Sequence, residues 1–193
     1  MAEQMIEVEV KFRAPDDVEE RLKSAGFKFV EEKFEEDIYF NSPVRDFRKT
    51  DEALRLRKET SRRESGAEEV RKVKFTYKGR KIDRTTKTRE ELSLEVSDYE
   101  EMKKILERLG FREVALVRKC RKIYELGGIL ACVDDVEGIG KFVEFEVCVK
   151  DGTDDKSVDE AKRRIEEVAS NLGLGKLEDS ITLSYLEMLL NGR

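Results

Sequence analysis

The chain has 193 residues, of which 44 are acidic and 39 basic, so 43% carry charge while the net charge is only −5. That near balance gives no general attraction to nucleic acid, and any anion site must come from local sorting of charge. The apolar residues keep regular periodicity, which excludes disorder, and no run approaches the ~20 apolar residues of a membrane span. No signal-peptide core is visible, so a soluble, cytoplasmic protein without a membrane partner is expected. The surplus of Lys, Arg and Glu, with no His or Trp and one Gln, fits a hyperthermophile source. Cys120, Cys132 and Cys148 show neither metal-ligand spacing nor a disulfide framework, and Cys132 and Cys148 read as core residues of apolar strands.

In chain order, Glu7-Val8-Glu9-Val10-Lys11 alternates with period two. A strand there puts Glu7, Glu9 and Lys11 on one face and Ile6, Val8, Val10 and Phe12 on the other. Pro15 opens a helix that ends near Gly26-Phe27. Strands are expected at 37–41, 53–58 and 70–78, with a solvated connection over 58–69, whose Arg62-Arg63 could serve a lid, and a second loop over 79–88. Strand 91–96 leads into a helix opened by a capping box, Ser97 with Glu100, and closed at Gly110-Phe111. Strands at 116–125, 129–135 and 141–149 follow, the last two joined by a Gly138-Ile139-Gly140 hairpin turn. A second capping box, Ser157 with Glu160, opens a helix ending near Gly173.

The first two strand–helix units continue alike. Asp37-Ile38-Tyr39 and Lys122-Ile123-Tyr124 follow their Gly-Phe pairs at similar distances, so a diverged duplication with a period of roughly 85 residues is read. Many short strands with a few amphipathic helices predict a single α+β domain over residues 1–193, largely antiparallel. The helices should cover the apolar strand faces. The charged faces then point to solvent or to one another inside a closed barrel.

Those faces carry Glu7, Glu9, Glu91, Glu95, Asp134, Glu144 and Glu146, and the bases Lys11, Arg55, Arg57, Lys74, Lys78, Arg89, Lys119 and Arg121. Carboxylates at i and i+2 lie roughly 7 Å apart and repel by ~2 kcal/mol at an effective dielectric near 20, against ~0.6 kcal/mol in water. On an open solvated sheet the pattern is cheap and means little. In a barrel the acids demand cations such as Mg²⁺ or Mn²⁺, and the grouped bases demand an anion, for which Arg forks suit phosphate. A metal–polyphosphate would satisfy both.

The ordered set Glu7-x-Glu9-x-Lys11, Leu54-Arg55-Leu56-Arg57, Lys74-Phe75-Thr76-Tyr77-Lys78-Gly79, Arg89-Glu90-Glu91, Lys119-x-Arg121, Asp134-Asp135-Val136-Glu137-Gly138-Ile139-Gly140 and Glu144-Phe145-Glu146 resembles the CYTH, or triphosphate tunnel metalloenzyme, superfamily. Ser184-Tyr185 resembles that family's closing helix. The resemblance implies a closed eight-stranded antiparallel β-barrel, the triphosphate tunnel, with helices packed outside. It implies Glu7, Glu9, Glu144 and Glu146 as ligands of Mg²⁺ or Mn²⁺. Lys11, Arg55, Arg57, Lys74, Lys78, Arg89, Lys119 and Arg121 become the grip on ATP or another triphosphate. Asp134 either binds a second metal or orients a base, and Glu91 and Glu95 are either ligands or partners of tunnel bases. Tyr39 is either a buried aromatic or, beside Lys74, the residue that activates water in the thiamine triphosphatase branch.

The implied activity is that of a class IV adenylyl cyclase, ATP to cyclic AMP and pyrophosphate, with an inorganic or thiamine triphosphatase as the alternative. A non-catalytic binder of nucleotide or polyphosphate is a third reading, against which no metal-ligand Glu is missing. Outward apolar residues are compatible with a homodimer.

Overall fold

The computed structural model describes residues 5–63, 70–81, 89–150 and 155–192. Among the described residues, eight strands and five α-helices follow one another as β1 (Met5–Arg13), α1 (Val18–Ser24), β2 (Lys28–Asn41), α2 (Phe47–Thr50), β3 (Ala53–Arg63), β4 (Val70–Lys81), β5 (Arg89–Glu95), α3 (Tyr99–Arg108), β6 (Arg112–Leu126), β7 (Ile129–Val136), β8 (Gly140–Lys150), α4 (Asp155–Asn171) and α5 (Tyr185–Asn191). Strand neighbours run β1-β8-β7-β6-β2-β3-β4-β5. The pairs β1–β8, β7–β8, β3–β4 and β4–β5 are antiparallel. The α+β class and the eight strands match expectation. The barrel is not shown closed, because the order ends at β1 and at β5 and no β5–β1 ladder joins them among the described residues.

Two compact units are distinguished, 1–32 with 121–183 and 33–120 with 184–193. In the first, Val8, Val10 and Phe12 of β1 meet Val143, Phe145 and Val147 of β8 under Val18 and Leu22 of α1 and Ala161, Ile165 and Ala169 of α4. In the second, Ile38 and Phe40 of β2 and Leu54 and Leu56 of β3 lie under Tyr99 and Leu106 of α3. Each fully buried Leu, Val or Phe removes enough apolar surface to stabilise by about 1.5–3 kcal/mol. Period-two strands therefore turn one face to a helix and leave the polar face for the site.

The helices α1 and α3 stop alike. Gly26 and Gly110 adopt φ of 95° and 88°. The amides of Phe27 and Phe111 each donate to a leucine carbonyl, Leu22 and Leu106, at 3.0 Å. This is the left-handed helix end that glycine permits without a Cβ penalty.

Several boundaries differ from the sequence reading. The cap of α3 is Asp98, whose carboxylate accepts from the Glu101 amide at 2.9 Å, so Ser97 stands one residue outside. Ser157 lies inside α4 rather than at its start. Residues 58–63 continue β3 instead of forming a solvated connection, and β2 begins at Lys28. The rest of the 58–69 segment and residues 82–88 of the second loop lie outside the described residues. Cys132 is buried as expected, but Cys148 is exposed. It shares the face of Glu144 and Glu146 and stands opposite Glu7 in the register. No helix among the described residues is long and apolar enough to cross a membrane.

Candidate active site

The β1–β8 ladder sets the first cluster. Its register places Lys11 opposite Glu144 and Glu9 opposite Glu146. Because side chains alternate, one face of this ladder collects the charges while Val8, Val10 and Phe145 go to the core. The Lys11 ammonium lies 2.9 Å from Glu144 and donates to the Leu183 carbonyl at 3.1 Å. Arg121 on β6 is the hub. Its Nε and Nη2 reach the two oxygens of Asp134 at 2.7 and 2.6 Å, Nη2 also bonds Glu144, and Nη1 lies 3.3 Å from Glu146. Burial would lower the Arg121 pKa, but the carboxylates, Asp134 foremost, raise it well above the ordinary value, so it stays charged. Asp134 is wholly buried and committed to Arg121 through both oxygens. Burial pushes up the pKa of the Cys132 thiol, which stands opposite Glu144 on the charged face, so it stays protonated and is not a nucleophile.

The second cluster stands on β2, β3 and β6. Arg57 makes a bidentate pair with Asp37 at 2.6 and 2.7 Å, and its Nη1 lies 2.8 Å from Glu35. Lys119 is 3.1 Å from Glu35, and its ammonium lies 5.2 Å from the ring centroid of Tyr185. Arg55 reaches Asp37 only at 3.7 Å, and its buried Nε donates to no acceptor among the described residues. Tyr39 shares the strand face of Glu35 and Asp37. Burial raises its pKa and Asp37 adds to the rise, against the opposing pull of Arg55, Arg57 and Lys119.

The remaining described bases border this group, with Lys74 opposite Arg57 in the β3–β4 register, and each is paired with an acid. Lys74 bonds Glu59 at 3.4 Å, with Lys33 on the same carboxylate at 3.5 Å, and Lys78 bonds Glu91 at 2.8 Å. Glu95 pairs with Lys72 at 3.4 Å. The side chains of Glu7 and Arg89 lie outside the described residues. Three buried acids escaped the sequence reading, Glu35, Asp37 and Glu59. A usable signal existed for two of them, since Glu35-x-Asp37-x-Tyr39 repeats the alternation of Glu7-x-Glu9-x-Lys11.

Asp37 carries a pH signature. Burial alone would raise its pKa, but hydrogen bonds and charge from Arg57, with Arg55 and Lys119 behind, bring it below the ordinary value. A depressed folded pKa contributes stability that is complete above the unfolded value of about 3.9 and is lost as pH falls through the folded one. Asp37→Asn should therefore lose less stability than wild type on going from about pH 4 to pH 2. Urea melts at stepped pH test this, and an unchanged acid slope would exclude Asp37 as the group responsible.

The family model of the CYTH domain matches residues 5–182. The chain belongs to the CYTH domain family. A protein of Methanocaldococcus jannaschii named as an adenylate cyclase candidate is 45% identical over 187 residues, spanning 95% of this chain and 98% of that one. The PH1819 protein of Pyrococcus horikoshii has a solved structure with a TM-score of 0.81 and 39% identity, covering 97% of this chain and 100% of that one. A Hippeastrum adenylyl cyclase candidate, described as having a dominant triphosphatase activity, shares the fold at 18% identity and a TM-score of 0.64, with 97% of each chain covered.

Membership of the CYTH family implies a divalent metal and a triphosphate substrate. The residues fit a hard cation where Glu9 faces Glu146 with Glu144 next on the same face, since facing like charges are costly without a cation and oxygen ligands suit Mg²⁺ or Mn²⁺. Among the described residues, no three Asp, Glu or Cys side chains already stand as a metal-holding group.

Proposed function

We propose that this CYTH protein is a divalent-metal-dependent enzyme that converts ATP into cyclic AMP and pyrophosphate. The observation that carries the reading is the sorting of charge into two clusters of opposite need. On β1, β6, β7 and β8, Lys11 and Arg121 face four carboxylates, Glu9, Asp134, Glu144 and Glu146. On β2, β3 and β6, Arg55, Arg57 and Lys119 face two, Glu35 and Asp37. The first group is rich in carboxylates, which suit a divalent metal, and the second is rich in bases, which suit phosphate.

In this reading Glu7, Glu9, Glu144 and Glu146 hold Mg²⁺ or Mn²⁺, and the eight strands close into a tunnel within one domain. Lys11, Arg55, Arg57, Lys74, Lys78, Arg89, Lys119 and Arg121 bind the triphosphate. When bound, the metal neutralises charge on the phosphate oxygens. Asp134 acts through Arg121, whose guanidinium engages both of its oxygens and is positioned by them. The ribose 3′-hydroxyl gives its proton to solvent water as its oxygen forms the bond to the α-phosphorus, the bond to the bridging oxygen breaks, and pyrophosphate leaves with that electron pair. The bases stabilise the developing charge, and catalysis is mainly positioning plus electrostatics.

The triphosphatase alternative uses the same clusters, and the Hippeastrum neighbour indicates that the fold accommodates it. One observation weighs against it here: a tyrosine with a raised pKa is a weaker aid to water.

The test is product analysis with ATP, 3′-deoxy-ATP, thiamine triphosphate and tripolyphosphate, with Mg²⁺ or Mn²⁺ at elevated temperature. Cyclic AMP and pyrophosphate are expected from ATP, and 3′-deoxy-ATP should bind without reacting. Orthophosphate released from 3′-deoxy-ATP as fast as from ATP, or a preference for tripolyphosphate, would replace the cyclase with a triphosphatase.

A further inference from the structure

We propose that Glu35 and Asp37 are built-in counter-anions of the Arg55–Arg57–Lys119 cluster, which hold these bases in place for the triphosphate and compete with it, so that they set its affinity. The inference rests on the proposed triphosphate site and assigns a role to two residues outside the motif set.

Both carboxylates are buried, at 5% and 2% exposure. Burying an ionised carboxylate is costly unless it is paired and hydrogen-bonded, so the pairing has to be read for what it leaves over. Asp37 takes two donors from Arg57, and Glu35 bridges Arg57 and Lys119. A purely structural network would use its donors up. Here Arg55 sits at 3.7 Å from Asp37, and its Nε is buried with nothing to donate to among the described residues, although Glu91 also interacts electrostatically with Arg55 and Arg57. The spare donor points to an anion, while the two carboxylates keep Arg57 and Lys119 from turning away. An anion reaching Arg55 or Lys119 then lies within several ångströms of both carboxylates and is repelled by them.

The sign of an affinity change separates this from a structural role. Glu35→Gln and Asp37→Asn keep an oxygen acceptor for Arg57 and Lys119 and delete one negative charge each. Each variant should bind tripolyphosphate about 10-fold more tightly than wild type by calorimetry at low salt, with the gain shrinking as salt is added. With ATP, KM and kcat should fall together, since tighter ground-state binding with looser bases does not favour the transition state.

Unchanged or weaker binding by folded variants overturns the inference. Should Asp37→Asn not fold, Glu35→Gln carries the test, because it leaves the Arg57–Asp37 pair intact. If neither folds, the acids are structural supports and the inference fails. If wild type itself binds no tripolyphosphate, the triphosphate reading falls first and this inference falls with it.

Discussion

Arg121→Ala is expected to lower stability by about 3–5 kcal/mol and to make the remaining stability depend on divalent cations. Arg121 is the guanidinium on which Asp134, Glu144 and Glu146 converge. Asp134 is wholly buried and Glu144 nearly so. Truncating the hub leaves these carboxylates with Lys11 as the nearby cation on the β1–β8 ladder, and a buried charge without its partner costs far more than the pair contributed. For a chain of this length each kcal/mol shifts Tm by about 2–4 °C, so a loss of about 6–20 °C is expected in the presence of a chelator. Adding Mg²⁺ or Mn²⁺ should recover more Tm in the variant than it adds to wild type, because the vacated oxygens are hard ligands. Calorimetry with and without metal makes the comparison. A variant that melts like wild type in chelator would remove Arg121 from the centre of the cluster.

Why the charged face of β1 and β8 could be read from sequence, and why Glu35 and Asp37 could not, comes down to where burial originates. Glu9, Lys11, Glu144 and Glu146 sit in strands whose alternate residues are Val and Phe, so the period-two pattern marks the charged face locally. The ladder then brings Lys11 opposite Glu144. Glu35 and Asp37 lie in Lys28–Asn41, where charge is dense on both faces and the strand signal fades before Asp37. They are buried because Arg57 and Lys119, distant in sequence, reach them. Glu59 has the same history. Its segment reads as solvated, yet it lies at 5% exposure between Lys33 and Lys74. Tertiary pairing decides such residues, and local pattern does not contain it.

Cys148 errs in the other direction. Its neighbours Val147 and Val149 suggest a core strand, but parity puts it with Glu144 and Glu146 on the charged face. Register would have corrected the reading, since a shift of one residue exchanges the faces. The helix ends were legible because Gly26 and Gly110 carry a backbone demand of their own. The helix starts were less so. Ser97 and Asp98 are both good caps, and the choice went to the residue that lets Tyr99 be buried as the first helical position.

Glu144→Gln and Glu146→Gln should both cost at least the ~10–100-fold in metal affinity or activity that outer-shell partners typically cost, yet move stability in opposite directions. Glu144 is the buried acceptor of Lys11 at 2.9 Å and also bonds Arg121. An amide there keeps the shape and removes the charge that both cations face, so metal-free stability should fall by about 3–5 kcal/mol. Glu146 stands directly opposite Glu9. Carboxylates about 5 Å apart repel by ~3 kcal/mol at an effective dielectric near 20 and by ~0.8 kcal/mol in water. Arg121, at 3.3 Å from Glu146, offsets only part of that repulsion, being shared with Asp134 and Glu144. Neutralising Glu146 should therefore leave metal-free stability unchanged or raise it, while the Tm increase on adding Mn²⁺ is lost in both variants. Equal destabilisation of the two variants would mean that repulsion between Glu9 and Glu146 is not the governing term. An undiminished Mn²⁺-induced rise in Tm would remove both carboxylates from the metal site, whatever happened to turnover.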